Sequence, residues 1–375
     1  MTRFDDIRPY HDHEVHEALQ EFKRHPLVKV LLGFAFPNLP DNEIDGILDQ
    51  CHSIKEFQQN VIYVALKRLL ENTTEGFTTS GFDKLQPETS YLFISNHRDI
   101  VLDTSLLNVA LLEHGLVMTA SAIGDNLVGR PFLMALSRLN RNFLIQRDLP
   151  PRELLKSSQL VSDYIYEMLF KEHRSVWIAQ REGRAKDGDD KTQQGVLKML
   201  AMASDEANIM DYFKKMKVVP VAISYEYDPT DILKVPELVA KHHDEEYVKT
   251  GNEDFNAIMK GALGKKKRIH IEIGDILEKE LDEISRNEQK PNKQLQALAS
   301  LIDDRIIESY KLWPSKYIAY DLMHGGDKYA QFYTEKEKKQ FERRIERRVD
   351  RANEVAMNNY LAMYANPVIN KEQLT

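Results

Sequence analysis

The chain has 375 residues, of which 42% are hydrophobic and 29% charged, the balance of a globular protein that is long enough for one large domain with additions. Its formal net charge of −8 argues against general nucleic-acid binding, and its single cysteine excludes a disulfide framework. No apolar run approaches the roughly 20 residues of a membrane-spanning helix, and the first residues lack the apolar core of a secretory signal. We therefore expect a cytoplasmic protein.

Residues 1–75 have the pattern of helices. Apolar side chains recur at three- and four-residue spacing over 13–36 and 42–70, and the sequence PNLP separates the two segments. Three histidines lie near the start, but no cysteine or carboxylate pattern with the spacing of metal ligands accompanies them, so we predict no metal site. We expect a small helical cap that packs on the following domain.

From residue 76 the chain alternates between strand and helix patterns. The segment GFTTSGFDKL is typical of an edge strand and a turn. Strands are predicted at 91–95, 116–122, 142–147, 174–179, 217–224 and, to close the sheet, from residue 268. Helices are predicted at 104–115, 130–139, 152–172 and 193–204. Such alternation predicts an α/β fold with a mainly parallel sheet flanked by helices. We divide the chain into a helical cap (1–75), an α/β domain (76–290) and a helical C-terminal extension (291–375).

The first strand after the edge strand stops at the polar cluster SNHRD, which contains His97. The carboxyl ends of strands in an α/β sheet face the ligand crevice, so this histidine is well placed for acid–base chemistry. Asp103 follows an apolar run of three residues and is a candidate partner. Spacing alone fits equally well a histidine that only ends a strand, with Asn96 or Asp99 capping the next helix.

Two further strand patterns end in groups suited to an anionic ligand. NFLIQR ends near Arg147, whose planar guanidinium offers paired donors to a phosphate. Glu182-Gly183-Arg184 follows the strand VWIA; glycine lets the backbone approach a ligand, and arginine adds charge. The alternative for each group is an ordinary position on the protein surface without a ligand. A fourth strand, VVPVAISYEY, contains Pro220, which suggests a bulge or an edge position.

The C-terminal half contains two basic segments. KKKR at 265–268 follows a predicted helical insertion at 238–260, and it is either a solvated rim or a contact for an acidic donor or lipid headgroups. Phe341, Ile345 and Val349 form a stripe at four-residue spacing. Arginines flank this stripe at Arg343, Arg344, Arg347, Arg348 and Arg351. The simplest interpretation is a helix that packs on the domain by its apolar stripe, and the alternative is docking at a membrane surface.

The four motif-bearing segments resemble, in order, the motifs of the glycerolipid acyltransferases, the family of glycerol-3-phosphate and lysophosphatidate acyltransferases. SNHRDIVLD resembles the first motif, Asn-His, four residues, then Asp, although five residues separate His97 from Asp103 here. This spacing leaves open whether Asp103 or the closer Asp99 supports the histidine, and we favour Asp103 because it follows the apolar run. NFLIQR and Glu182-Gly183-Arg184 are similar to the second and third motifs. VVPVAISYEY is similar to the last, which is thought to line the acyl-donor side.

The resemblance implies an O-acyltransferase of phospholipid synthesis that acylates 1-acylglycerol-3-phosphate or glycerol-3-phosphate. His97 would take a proton from the acceptor hydroxyl, and Asp103 would orient the imidazole. The substrate would be bound by Asn96, Arg147, Glu182, Gly183 and Arg184. Acyl-CoA or acyl-carrier protein would be the donor, with no cofactor or metal, and the enzyme would work peripherally at the inner face of the membrane.

Two rival functions stay open at the level of sequence. One is an acyltransferase for a phosphate-free lyso-lipid acceptor, and the other is a noncatalytic lipid-binding protein on the same fold, which the altered spacing of His97 and Asp103 favours. Other enzyme classes are disfavoured, since the sequence has no G-x-S-x-G elbow, no Walker A loop and no G-x-G-x-x-G fingerprint.

Overall fold

The computed structural model describes residues 2–374. Its centre is a sheet of seven strands: β1 (Thr74–Ser80), β2 (Leu92–Ser95), β3 (Ala120–Gly124), β4 (Asn142–Ile145), β5 (Val176–Ala179), β6 (Val218–Tyr225) and β7 (Lys267–Ile273). Their order across the sheet is β1-β7-β6-β2-β5-β3-β4. All neighbours are parallel except β6 and β7. This confirms the predicted α/β fold with a mainly parallel sheet.

Helices surround this sheet. In the described chain they are α1 (Asp12–Phe22), α2 (Pro26–Ala35), α3 (Asp41–Asp49), α4 (Ile54–Phe57), α5 (Tyr63–Thr73), α6 (Leu102–Glu113), α7 (Pro131–Leu139), α8 (Pro151–Tyr166), α9 (Gln194–Leu200), α10 (Ile209–Lys215), α11 (Asp231–His242), α12 (Glu253–Leu263), α13 (Lys279–Asn287), α14 (Pro291–Ser309), α15 (Pro314–His324), α16 (Glu335–Glu346) and α17 (Glu354–Leu374). The short helices α10 and α13 were not predicted. No helix within residues 2–374 has the length and apolar character needed to cross a membrane.

Strand β2 shows why the sheet needs helices on both faces. Leu92 and Ile94 point into a hydrophobic cluster with α8, α9 and α14, whereas Phe93 points into a second cluster with α5 and α6. Successive side chains of a strand alternate between the two faces, and all of these are buried. The strand therefore lies between two layers of helices.

The positions of β6 and β7 correct two predictions. The last strand does not close the sheet, since β7 lies between β1 and β6. Pro220 is neither at an edge nor at a bulge, because β6 pairs with β2 through Pro220 without a shift in register. The antiparallel ladder with β7 begins one residue later, at Val221, so the missing N–H costs no bond in that ladder. The carbonyl of Pro220 accepts from Gly274 N at 2.9 Å.

The terminal regions pack on this sheet unit. Helices α1 to α4 share a hydrophobic cluster with Phe132 and Leu139 of α7, whereas α5 packs in the cluster around Phe93. In the C-terminal region, α14 adds Leu298 and Ile302 to the cluster beneath β2. The division of the chain at residues 75 and 290 stays a prediction, and β1 already begins at Thr74.

Both basic segments are more buried than their sequences indicate. Phe341, Ile345 and Val349 pack into a hydrophobic cluster with α17, the simpler of the two predicted arrangements. The prediction of a solvated rim at 265–268 is wrong for Lys266, which is fully buried. Its ammonium donates to the carbonyl oxygens of Ala262 (2.8 Å) and Gly264, at the end of α12, where helix carbonyls lack partners.

A buried carboxylate holds the C-terminal helices to the domain. Asp231, the first residue of α11, is fully buried. Tyr360 and Tyr364 of α17 donate hydroxyl hydrogen bonds to it at 2.6 and 2.7 Å. Arg344 and Arg348 form ion pairs with it at 2.8 and 3.1 Å. The carboxylate is fully hydrogen-bonded, so its charge is tolerated inside the protein only while these donors are in place.

We expect Asp231→Asn to lower the free energy of unfolding by about 3–5 kcal/mol, because it leaves two guanidinium groups without a carboxylate partner. Urea unfolding followed by circular dichroism measures the change. Asp275→Asn is the control, since Asp275 is 75% exposed and its pair with Lys84 should contribute about 0–1 kcal/mol. Equal losses in the two variants would contradict a central role for Asp231.

Candidate active site

The residue before the predicted base joins two strands. Asn96 follows β2 directly and is fully buried. Its Nδ2 donates to the carbonyl of Ile223 at 2.9 Å, and its Oδ1 accepts from the N–H of Ile223 at 2.8 Å. Asn96 thus bonds the end of β2 to the backbone of β6. This pairing gives Asn96 a positioning role, and its predicted role in binding substrate stays a prediction.

His97 and Asp103 form a hydrogen-bonded pair. The Nδ1 atom of His97 lies 2.8 Å from Oδ2 of Asp103. The same oxygen accepts from the backbone N–H of Arg98 at 2.6 Å and of Asp99 at 3.0 Å. The bond at Nδ1 fixes the imidazole and leaves Nε2 for exchange of a proton with a substrate.

The other oxygen of Asp103 is held from β6. Tyr225 donates its hydroxyl hydrogen to Oδ1 at 2.8 Å, and both side chains are buried. Burial and the nearby carboxylate raise the pKa of Tyr225 well above its usual value, so the hydroxyl keeps its proton and stays a donor. Asp103 therefore accepts hydrogen bonds on both oxygens.

Asp99 has a different task from Asp103. Its Oδ1 accepts from the N–H groups of Val101 at 3.0 Å and Leu102 at 2.9 Å, at the start of α6. Burial and the charge of Asp103 raise the pKa of Asp99. Of the two carboxylates that the sequence left open, Asp103 is the one that contacts His97. The five-residue spacing accommodates the turn that Asp99 caps.

Of the remaining motifs, Trp177 contacts His97, and Arg147 lines the same cavities as His97. Trp177 of β5 meets the imidazole edge-on, with ring centroids 5.6 Å apart. Arg147 lies just beyond β4, where its N–H donates to Oδ1 of Asp125 at 3.1 Å. Its guanidinium forms an ion pair with Glu182. The ends of β2, β4 and β5 thereby bring a base, a cation and an aromatic wall to one edge of the sheet.

The segment after β5 is tied to the histidine. The N–H of Ala185 donates to the carbonyl oxygen of His97 at 3.0 Å. Gly183 has φ +69°, a conformation that side chains with Cβ rarely adopt. Arg184 Nη1 donates to the hydroxyl of Thr230 at 3.3 Å. The predicted residues Glu182, Gly183 and Arg184 therefore lie beside His97.

Two adjoining cavities meet at His97. A cavity of about 430 Å³ has an apolar wall of Ile100, Ile123, Leu149, Leu154, Val196 and Met199. A smaller cavity of about 220 Å³ contains the charged side chains of Arg184, Lys186, Lys249 and Asp254. His97, Arg147, Glu182 and Gly183 line both. The site thus offers one largely apolar and one charged compartment to a molecule placed at Nε2 of His97. Within residues 2–374 no group of three or more His, Cys, Asp and Glu side chains could hold a metal ion.

The sequence analysis did not identify several residues of the site. Arg98 is buried, forms an ion pair with Asp190, and accepts on its carbonyl oxygen a hydrogen bond of 3.1 Å from Lys234. Tyr225 was within the fourth motif but had no predicted role. The residues predicted to line the acyl-donor side, such as Val221, are instead buried in the hydrophobic cluster around Phe93. Asp190 and Lys234, which contact Arg98, are distant from it in the chain, and so is Tyr225 from Asp103. Spacing therefore gave no signal for these contacts.

Part of the chain is similar to a known protein family. Residues 76–224 match the family model described as Acyltransferase, a range that runs from Gly76 in β1 to Ser224 in β6 and includes all predicted site residues. No curated protein matches the sequence. Among solved structures, the 1-acyl-sn-glycerophosphate (LPA) acyltransferase PlsC from Thermotoga maritima is similar over 78% of this chain and 95% of that chain, with 12% identity and a TM-score of 0.38. This similarity is too low to carry an argument. The family match, which spans less than half of the chain, supports the predicted resemblance: residues 76–224 form an acyltransferase domain.

Proposed function

We propose that this acyltransferase transfers a fatty acyl group from an acyl thioester to a hydroxyl of a glycerol-phosphate acceptor in phospholipid synthesis. The acceptor is 1-acylglycerol-3-phosphate or glycerol-3-phosphate, and the donor is acyl-CoA or acyl-carrier protein. The observation that carries the proposal is the position of His97, paired with buried Asp103, between an apolar cavity and a charged one that contains two arginines and two lysines.

The proposed reaction is a direct transfer. His97 Nε2 takes the proton of the acceptor hydroxyl while the oxygen attacks the thioester carbonyl carbon. The C–O bond forms, the C–S bond breaks, and the departing thiolate takes the proton back from the imidazolium. Asp103 stabilises the imidazolium that forms in between. General base catalysis of this kind contributes about 10²–10⁴-fold. No covalent acyl-enzyme is needed, in accord with the absence of a nucleophile elbow from the sequence.

The charged cavity supports a phosphate-bearing acceptor. Arg147, Arg184 and Lys186 surround it, and arginine binds phosphate through two parallel hydrogen bonds. Arg147 is paired with Glu182, whose side chain is 67% exposed. An exposed pair contributes only about 0–1 kcal/mol, so a phosphate dianion can replace Glu182 at little cost. The apolar wall on the other side of His97 suits the acyl chain of the donor.

We further propose that the enzyme acts at a membrane surface, by way of α2. Leu27, Val30 and Leu31 lie on one side of this helix and are 37%, 69% and 36% exposed, while Val28 and Leu32 on the other side are buried. An exposed apolar helix face beside basic residues is typical of docking in the interface of a bilayer. Lys23 and Arg24 precede this helix in the chain, and Lys29 lies on it.

The helix is also connected to the mouth of the site. His25, at the start of α2, stacks on Phe132 with ring centroids 4.5 Å apart, and Phe132 contacts Phe255 of α12. Asp254, the neighbour of Phe255, lines the charged cavity together with His97. This arrangement favours α2 over the two basic segments proposed from the sequence, because the apolar stripe of α16 is buried.

The role of Asp103 is tested against that of Asp99. Asp103→Asn should lower kcat by about 10²–10⁴-fold, because an amide cannot stabilise the imidazolium, and His97→Ala should lose at least as much. Asp99→Asn is the matched control and should keep kcat within about tenfold, since it retains the oxygen that caps α6. Initial rates with a labelled acyl thioester measure kcat, and circular dichroism confirms folding. A larger loss for Asp99→Asn would move the supporting role to Asp99.

The class of acceptor is tested with Arg147→Ala. With glycerol-3-phosphate or its 1-acyl form, KM should rise by about 10- to 100-fold, because charge-assisted bonds to the phosphate are lost. With a monoacylglycerol, which has no phosphate, the rate should not change. Arg152→Ala is the control, since Arg152 is exposed on α8 outside both cavities. Equal effects on both acceptors would favour the phosphate-free rival.

The membrane surface is tested by vesicle sedimentation. Val30→Asp and Leu31→Asp should each reduce binding to vesicles of phosphatidylglycerol and phosphatidylcholine, since a carboxylate opposes burial of the α2 face among lipids. Leu374→Asp adds the same charge at a 38% exposed leucine of α17 and should leave binding intact. If all three variants bind like the unchanged chain, α2 is not the docking surface.

A further inference from the structure

A basic cleft lies apart from the two cavities at His97. It has a volume of about 800 Å³ and opens between the amino ends of β1 and β7 and the helix α16. The cleft is lined by the cationic side chains of Lys265, Lys267, Arg343, Arg344, Arg347 and Arg348. The two basic segments that are separate in the sequence are therefore joined in one concave surface. None of these residues lines the catalytic cavities.

The charges of the cleft are only partly compensated. Arg344 and Arg348 share Asp231, and Lys267 forms an ion pair with Glu226. Lys265, Arg343 and Arg347 are exposed, and within residues 2–374 they form no ion pair with a carboxylate. Glu75 is the one carboxylate in the lining. The cleft thus has a surplus of positive charge in a protein whose net charge is −8.

The shape and composition of the cleft favour a small phosphorylated molecule. A guanidinium group can donate two parallel hydrogen bonds to one phosphate. Several guanidinium groups on one helix face can therefore contact more than one phosphate. A volume near 800 Å³ is typical of a site for a small molecule. A membrane is a poorer fit, because the apolar residues of α16 are buried and the surface is concave.

We propose that this cleft binds a small molecule that carries two or more phosphate charges. The site is separate from the proposed acceptor site but close to it along β6. Tyr225 donates to Asp103, and two residues later Tyr227 lines the cleft beneath the guanidinium of Arg344, which lies 4.4 Å from its ring centroid. Two residues of extended chain span at most about 7 Å. A ligand in the cleft therefore lies near the end of β6 that contacts the catalytic pair.

Isothermal titration of the full chain with pyrophosphate and with ADP, at low salt, tests the proposal. Both should bind, and Arg343→Gln combined with Arg347→Gln should weaken binding by at least about tenfold, because both exposed guanidinium contacts are lost. These side chains are exposed, so the variant should fold. Arg351→Gln is the matched control: Arg351 is exposed and paired with Glu346 outside the cleft, and its loss should change affinity by less than about twofold.

Three results would overturn the proposal. The first is no binding of either ligand, or equal weakening by Arg351→Gln, which would reflect general charge. The second is binding that Arg147→Ala removes and the double variant leaves unchanged, which would place the phosphates in the catalytic cavity. The third is binding to phosphatidylglycerol vesicles alone, lost in the double variant, which would make the cleft a membrane contact. If the Arg147→Ala variant still binds pyrophosphate and ADP, the result supports the cleft as their binding site. This conclusion does not depend on which acceptor the enzyme uses.

Discussion

The active site depends on one carboxylate that is enclosed within the protein and hydrogen-bonded on both oxygens. Asp103 is fully buried, and removal of a charge from water is costly unless hydrogen bonds replace the lost hydration. Four donors meet this demand: the imidazole of His97, two consecutive backbone N–H groups, and the hydroxyl of Tyr225. Because these donors come from the end of β2, the turn before α6 and the end of β6, the carboxylate also fixes how these three elements meet.

A second group of buried charged side chains fixes the loop around His97. Arg98 pairs with Asp190, and Lys234 of α11 bonds both to the carbonyl of Arg98 and to Asp228. Asp231, three residues before Lys234, connects the same helix to α16 and α17. The C-terminal helices therefore reach the catalytic turn through a chain of ion pairs, although they contribute no side chain to the two cavities. Groups linked in this way are expected to act as a unit, so their contributions to stability are not additive.

The sequence predicted what is encoded locally. The strand–helix alternation and the position of His97 at a strand end follow from patterns within a few residues. The choice of Asp103 over Asp99 was favoured only through the resemblance to the first family motif. Contacts between distant residues were not predictable: Tyr225 lies 122 positions from Asp103, and nothing in a single sequence indicates that they meet. Pro220 shows a second limit. A missing N–H weakens a strand only if the ladder uses that N–H, which depends on the register with a neighbour. The pairing of Arg147 with Glu182 and the burial of Lys266 likewise depend on tertiary packing.

The antiparallel direction of β7 has a consequence for the segment between it and β6. The N–H of Glu226 donates to the carbonyl of Arg268, and the N–H of Tyr227 donates to that of Lys266, so the two ends of this segment are bonded to each other. The segment is in effect a long hairpin insertion that leaves and re-enters the sheet at one point. The entropy cost of closing such a loop grows only with the logarithm of its length. Residues can therefore be gained or lost within it while the register of the sheet stays unchanged. Since Lys249 and Asp254 on its tip line the charged cavity, changes in its length offer a way to alter the choice of acceptor without rebuilding the catalytic pair.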